Sequence, residues 1–304
     1  MLQASVLELF QMSNGTGLRK EIPMNESQGK NSHFTRARAV ITTLSGLSIV
    51  KVLLAVLANS RPHARPFALG LLMLLAPGSR VSYKYKIGDS KLIGFLRRKD
   101  IDSDLQSALE LAIADRYRLN QIPRPDFIVD GGANTGLFSL DVATRWPGVP
   151  IVAFEPAPSN LEAIRSHLEA NHLENFVRVE PVALAGVDGS KHFFLRDANQ
   201  GSFSADLPAD HAIEVQCRAL AQYLPSDPET LKLIKLDIEG AEVEVLDALF
   251  ANGGTKKTII VLELHNTPVT RPWIEELARR VGFILEFYEI GSVTAHCQLT
   301  SSDL

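Results

Sequence analysis

The chain has 304 residues, 45% of them hydrophobic, and a net charge of −4. This length is sufficient for one large α/β domain with an additional segment. No self-similar period of about 20–50 residues occurs, which excludes a solenoid or a propeller. The two cysteines, Cys217 and Cys297, exclude a disulfide framework and a cysteine zinc site. A reducing, cytoplasmic setting fits this cysteine usage.

Charge is unevenly distributed, with an excess of basic residues in 1–120 and of acidic residues in 121–304. A basic front half could contact a membrane surface or an acidic partner, but a solvated accessory region is the simpler interpretation. Residues 1–38 form a predicted mobile N-terminal segment, since most of this stretch is polar. Neither the charge nor any motif indicates a nucleic-acid partner.

Two apolar runs follow, at residues 39–58 and 67–76. The first is long enough to reach across a bilayer. Lys51 lies near its centre, however, where a charge in hydrocarbon is costly, and the second run is too short to cross. We therefore expect two packed helices and no integral membrane span. A hairpin that dips into a membrane is the alternative.

The segment before residue 121 ends in a predicted hairpin and helix. Residues 81–86 alternate between apolar and polar, as a half-buried strand does, and residues 92–96 form a second strand after a turn. Ser103 or Asp104 could then cap a helix. Pro123 and Pro125 mark a boundary. The sequence thus predicts an accessory segment over 39–120 and a separate domain over 121–304.

The 121–304 domain alternates apolar strands with amphipathic helices, which is typical of a parallel sheet with crossover helices. The predicted strands are 127–130, 150–155, 177–184, 233–237 and 258–263, and the predicted helices are 135–145, 158–171, 241–250 and 272–281. Residues 283–289 and 293–299 have no helix between them and predict an antiparallel hairpin. An insertion supplies two extra strands, 192–195 and 213–218, joined by a polar loop. The predicted fold is a doubly wound, mostly parallel α/β sheet with an antiparallel C-terminal hairpin.

A glycine-rich loop follows the first strand of this sheet, where such folds bind ligands. Gly132 and Gly136 allow a tight turn and a close backbone approach at a helix start. Glu155 follows at the spacing typical of a carboxylate that binds ribose hydroxyls. These features fit both a nicotinamide dinucleotide and S-adenosylmethionine. Asp130 favours S-adenosylmethionine, because a carboxylate there would repel a pyrophosphate and suit an ammonium and a sulfonium.

At these residues the chain resembles the FkbM family of S-adenosylmethionine-dependent methyltransferases. The segments that carry the resemblance, in order, are Val129-Asp130-Gly131-Gly132-Ala133-Asn134-Thr135-Gly136, Phe154-Glu155-Pro156, Lys235-Leu236-Asp237-Ile238-Glu239-Gly240-Ala241-Glu242 and Ile259-Ile260-Val261-Leu262-Glu263. The resemblance covers roughly residues 81–299. One departure is Gly131, where the family more often has an apolar residue.

The resemblance implies a class I methyltransferase fold and the transfer of a methyl group to a small-molecule hydroxyl. It points to sugars, glycolipid-like molecules or polyketide-type products without selecting one of them. The residues it implies for cofactor binding are Asp130, Gly132, Asn134, Gly136, Glu155 and Pro156.

Asp237, Glu239 and His265 are the candidate catalytic residues, because they follow the strands next to the glycine loop. A base near the acceptor hydroxyl would help, since the oxygen loses its proton during transfer. Lys235 has two equally supported interpretations: a functional group, or a strand residue that pairs with a carboxylate. Two carboxylates and a histidine could hold a divalent metal, but an Asp-x-Glu spacing is common and no metal is predicted.

Two other functions stay open on sequence grounds. A nicotinamide-dependent oxidoreductase could use the same fold, although Ala133 replaces the second glycine of the dinucleotide fingerprint. A non-catalytic binding or scaffold protein is the other, since a fold alone does not determine function.

Overall fold

The computed structural model describes residues 80–87, 90–97, 100, 104, 107, 117–195, 201–202, 212–251, 255–290 and 294–304. The predictions for residues 1–79 lie outside the described residues. So do most of the helix predicted after Ser103 and most of the loop in the insertion. Over the part of the chain that is described, no helix is long and apolar enough to cross a membrane.

A β-hairpin opens the described chain. Strands β1 (Arg80–Ile87) and β2 (Ser90–Arg97) pair antiparallel, with Arg80 opposite Arg97. This agrees with the hairpin predicted from the alternating pattern.

A seven-stranded sheet forms the centre of the structure. Its strands in chain order are β3 (Phe127–Gly131), β4 (Ile151–Phe154), β5 (Val177–Glu180), β10 (Lys232–Leu236), β11 (Thr258–His265), β12 (Phe283–Ile290) and β13 (Thr294–Ser301). In space the order is β12-β13-β11-β10-β3-β4-β5. Strand β13 runs antiparallel to both of its neighbours, while the pairs among β11, β10, β3, β4 and β5 are parallel. The predicted C-terminal hairpin is therefore confirmed.

Helices cover both faces of this sheet, which makes the fold doubly wound. Helices α1 (Leu137–Arg145) and α2 (Pro158–Ala170) pack in one core with Ile128, Ile151 and Leu233. Helices α3 (Glu242–Ala251) and α4 (Thr267–Val281) pack in a second core on the opposite face. This core contains the residues that follow those three in their strands, Val129, Val152 and Ile234. Because both faces are buried, the strands are continuous apolar runs without alternation.

Two predicted boundaries were wrong. The single strand expected over 177–184 is two strands, since Pro181 interrupts the run and has no N–H to donate to a ladder. Its second half, β6 (Ala183–Ala185), joins a different sheet. Helix α4 begins at Thr267 rather than Pro272. Proline suits a first helical turn, but Pro268 fills that role and Pro272 lies inside the helix.

The insertion forms a smaller sheet beside the main one. Strands β7 (Gly189–Leu195), β8 (Gly201–Ser202) and β9 (Ala212–Ala219) join β6 in the order β6-β9-β7-β8. The antiparallel pairing of β7 with β9 confirms the two extra strands predicted there.

Side chains of α2 and of Asn171, which follows it, attach the β1–β2 hairpin to the main domain. Asn171 accepts a hydrogen bond from the Ile93 N–H and donates one to the Ile93 carbonyl, both at 2.8 Å. His167 Nε2 accepts from the Phe95 N–H, and its Nδ1 donates to the Thr135 carbonyl. Burial lowers the pKa of His167, which fits a neutral ring that donates with one nitrogen and accepts with the other. The hairpin is thus connected through one imidazole to the glycine loop.

Candidate active site

The carboxyl ends of β4, β3, β10 and β11 lie side by side in the sheet. Strand β3 is central, and the chain order reverses there, with β4 on one side and β10 on the other. This is the switch point at which open α/β sheets bind ligands. Every predicted site residue lies at the carboxyl end of one of these four strands or just after it.

The glycine loop after β3 is shaped by positive backbone angles. The φ angles of Gly132, Asn134 and Gly136 are 73°, 50° and 83°. A Cβ atom on Gly132 would lie 1.9 Å from the Asp237 carbonyl oxygen. The Gly132 and Ala133 N–H groups donate to the Phe154 carbonyl at 3.1 and 2.9 Å. The loop is therefore pressed against the chain after β10 and fastened to the end of β4.

Glu155 is held by the backbone on both oxygens. Its Oε2 accepts from the Asn134 N–H at 2.8 Å, and its Oε1 accepts from the Ala157 N–H at 2.9 Å. Burial raises the pKa of Glu155 to about 7, although the two N–H groups act in the opposite direction. The Asn160 side chain also hydrogen-bonds this carboxylate. Pro156, between these contacts, is half-buried.

Asp130 lies behind the glycine loop. Its carboxylate is 0% exposed, accepts from Ser139 Oγ at 2.7 Å, and lies 3.3 Å from Lys235 Nζ. In the structure the charge of Asp130 is thus balanced by Lys235. A direct contact between Asp130 and a ligand stays a prediction.

Lys235 connects the two sides of the switch point. Its Nζ donates to the Gly131 and Gly132 carbonyls at 3.1 and 2.7 Å and lies 3.9 Å from Asp237 Oδ2. Burial disfavours the charged amine, but Asp130 and Asp237 outweigh it and raise the pKa of Lys235. The lysine therefore stays charged and supports the loop through its hydrogen bonds to these two carbonyl groups. The pairing with a carboxylate that the sequence suggested for Lys235 is confirmed, and a functional role stays a prediction.

Asp237 follows β10 and is oriented by residues from distant segments. Its Oδ2 accepts from the Tyr117 hydroxyl at 3.3 Å, and the Tyr117 ring packs edge-on against Phe138. Burial raises the pKa of Asp237, while Lys235 acts in the opposite direction. Tyr117 was missed in the sequence, because it lies 120 positions from Asp237 and outside every predicted element.

His265 ends β11 between two carboxylates. Its Nδ1 lies 3.0 Å from Glu242 Oε1, and its Nε2 lies 3.5 Å from Glu239 Oε2. Burial disfavours the imidazolium, but Glu242, Glu239 and Asp237 outweigh it and raise the pKa of His265 to about 9. The ring is therefore protonated near neutral pH and is a poor proton acceptor there.

The structure brings the three candidate catalytic residues together. One ligand atom each from Asp237, Glu239 and His265 lie within 4.8 Å of one another. Glu242 supports the chain that carries Asp237 and Glu239, since it accepts from the Ile238 and Gly240 N–H groups at 3.1 and 3.2 Å. The contact of Glu242 with His265 needs β11 and could not be predicted from the sequence.

Gly131, the departure from the family pattern, is tightly enclosed. A Cβ atom there would lie 2.8 Å from Leu236 Cδ2 and 3.0 Å from Leu184 Cδ1. Two leucines therefore fill the space that a side chain would need.

Comparisons with known proteins identify the family of this chain. The profile of the family described as Methyltransferase FkbM domain matches residues 130–290. Methyltransferase sdnD of Sordaria araneosa is 29% identical over 199 residues, which span 55% of this chain and 77% of that protein. Methyltransferase 1 of Beauveria bassiana is 27% identical over 162 residues, which span 46% of this chain and 65% of that protein.

Among solved structures, the methyltransferase FkbM from Methylobacillus flagellatus is similar with a TM-score of 0.43 and 14% identity, covering 66% of this chain and 53% of that one. This likeness concerns the fold alone. The family profile spans more than half of the chain and includes every predicted site residue. The chain belongs to the FkbM family of methyltransferases.

Proposed function

We propose that the protein transfers a methyl group from S-adenosylmethionine to a hydroxyl oxygen of a small molecule. The observation that carries this proposal is the geometry of Glu155, whose two oxygens are each fixed by a backbone N–H beside the glycine loop. A carboxylate fixed in this way can accept both hydroxyls of a ribose. Family membership supplies the reaction class.

The loop fits an adenosyl ligand in a further respect. Gly132 lets the loop lie against the chain after β10, since a side chain there would collide with the Asp237 carbonyl. Asn134 Oδ1 is buried and has no hydrogen-bond partner among the described residues, which leaves it open to a donor on the ligand. Gly136 ends the loop at the start of α1, and Pro156 directly follows Glu155.

S-adenosylmethionine supplies a methyl group on a cationic sulfur, so an oxygen–carbon bond forms as the sulfur–carbon bond breaks and a neutral thioether leaves. The protein's main contribution is to position the acceptor oxygen. Asp237 is the residue we assign to orienting the hydroxyl or taking its proton. Its carboxylate is partly exposed and is itself oriented by Tyr117 and Lys235.

Glu239 and His265 have supporting roles in this proposal. His265 is protonated near neutral pH, so it contributes positive charge rather than a proton acceptor. Glu239 faces that charge at 3.5 Å. Glu239 and His265 together line the space in which the acceptor hydroxyl would lie.

Calorimetry of the full chain with S-adenosylhomocysteine and with NAD tests the cofactor. We expect S-adenosylhomocysteine to bind and NAD not to bind. The opposite result would make the protein an oxidoreductase on the same fold. Mass spectrometry of hydroxylated acceptors incubated with enzyme and S-adenosylmethionine then tests the reaction, with a gain of one methylene mass as the expected product.

A further inference from the structure

Asp237, Glu239 and His265 bring together the donor atoms that a divalent cation uses. We propose that these three side chains form a binding site for a divalent metal ion. Their ligand atoms lie within 4.8 Å of one another. A cation at about 2.1–2.4 Å from each ligand holds its ligand atoms about 3–5 Å apart, so only small side-chain movements are needed.

The contacts of His265 match those of a metal-binding histidine. A ligating imidazole typically donates its other ring N–H to a carboxylate, which fixes the orientation of the ring. Nδ1 of His265 makes this contact with Glu242 at 3.0 Å, which leaves Nε2 toward Glu239. Glu242 is fully buried, and its Oε2 has no hydrogen-bond partner among the described residues.

The charge around the three residues is strongly negative. The carboxylates of Asp237, Glu239 and the buried Glu242 converge on His265. The nearby carboxylates of Asp130 and Glu263 have partners of their own, Lys235 and His296. A divalent cation among the first three carboxylates would offset their mutual repulsion.

The site is open on one side, as a catalytic metal site must be. The side chains of Asp237, Glu239 and His265 are 27%, 34% and 18% exposed. Three protein ligands leave coordination positions for water or for an acceptor oxygen. The mixed oxygen and imidazole donors suit Mn²⁺, which we choose as the probe. That the cation would polarise the acceptor hydroxyl rests on the proposed function, whereas its binding does not.

Titration of the full chain with Mn²⁺ alone, followed by electron paramagnetic resonance, tests the site directly. We expect one bound Mn²⁺ per chain. Glu239→Gln and His265→Ala should each weaken the affinity for Mn²⁺ at least about tenfold, as expected when a metal ligand or the residue that supports it is lost. Glu244→Gln is the matched control, because Glu244 lies on the same helix as Glu242 and pairs with Lys191 instead.

Calorimetry with S-adenosylhomocysteine on the same variants separates this inference from the proposed function. Unchanged affinity for S-adenosylhomocysteine together with lost Mn²⁺ binding supports the metal site. The inference is overturned if the wild-type chain binds no Mn²⁺ up to about 1 mM, the weak end for protein sites of this kind. It is equally overturned if Mn²⁺ binds both variants as tightly as the wild type.

Discussion

The two halves of the site are constructed differently. On the β3–β4 side, the contacts of Glu155 and Gly132 are made by the backbone of a short loop. On the β10–β11 side, Asp237 and His265 are held by side chains from other segments, among them Tyr117 and Glu242. A loop that satisfies its own backbone gives a fixed surface, which suits a constant ligand. Side-chain contacts can change with a few substitutions, which suits a variable acceptor.

The halves meet through several contacts, two of which matter for the variants below. The Asp237 carbonyl occupies the space that a Gly132 side chain would need, and Lys235 donates to the loop while facing Asp237. A change in one half should leave the other intact unless it affects these contacts. Variants can therefore separate the two halves or disrupt both.

Asp237→Asn should have the largest effect and should affect mainly the acceptor half, because Lys235 keeps its shorter contacts with Asp130 and the Gly132 carbonyl. We expect turnover to fall by about 10²–10⁴-fold, the typical contribution of a positioned base, while affinity for S-adenosylhomocysteine is unchanged. Glu239→Gln and His265→Ala should show smaller losses of the same kind. Single-turnover kinetics and calorimetry measure the two effects. Near-normal turnover in all three variants would place the catalytic groups elsewhere.

Gly132→Ala should disrupt both halves. The new Cβ would collide with the Asp237 carbonyl at 1.9 Å, and the φ angle of 73° is itself unfavourable for alanine. Overpacking and strain each cost about 1–3 kcal/mol, so we expect affinity for S-adenosylhomocysteine to fall about 100-fold. Gly148→Ala is the matched control, since Gly148 has a φ of 81° but nothing within 4 Å of its Cβ position. Equal losses in both variants would show that backbone strain, and not the contact with Asp237, is responsible.

Glu155→Ala should affect only the cofactor half. Loss of a charged acceptor for two hydroxyls should cost about 2–3 kcal/mol of binding free energy, or about 30-fold or more in affinity. Glu180→Ala is the control, because Glu180 lies at the end of the neighbouring strand β5 and pairs with the exposed Arg178. Thermal unfolding of each variant checks that the domain is intact. An unchanged affinity for S-adenosylhomocysteine would mean that the ribose binds elsewhere.

The same difference explains what the sequence could predict. The glycine loop and Glu155 form a local pattern whose spacing alone indicates their geometry, and the strands that carry them are apolar runs. The candidates Asp237, Glu239 and His265 could be placed at adjacent strand ends, since parallel strands share an edge. Tyr117 and the Glu242–His265 contact could not be predicted, because they depend on packing between segments with no shared pattern. Asp130 shows a related difficulty, since its position was clear but its pairing with Ser139 and Lys235 was not.

The smallest expected effect is a pH dependence of cofactor binding. Burial raises the pKa of Glu155 to about 7 in the free protein, so its ionised fraction increases between pH 6 and 8. The ribose hydroxyls need an ionised acceptor, so affinity for S-adenosylhomocysteine should increase with pH over this window, by up to about tenfold.

Protein stability should change in the opposite direction. The folded-state pKa lies above the ordinary value of 4.5, so this carboxyl's contribution is fully present below that value and is lost as pH rises through about 7. The melting temperature of the ligand-free protein should therefore fall across the window, while the stabilisation by added S-adenosylhomocysteine grows. Glu155→Gln removes the titrating group and should remove the pH trend in affinity, whose persistence in that variant would assign the titration to another residue. The fall in stability should become smaller in this variant but not vanish, because the raised pKa of His265 also makes stability fall as pH rises toward about 9.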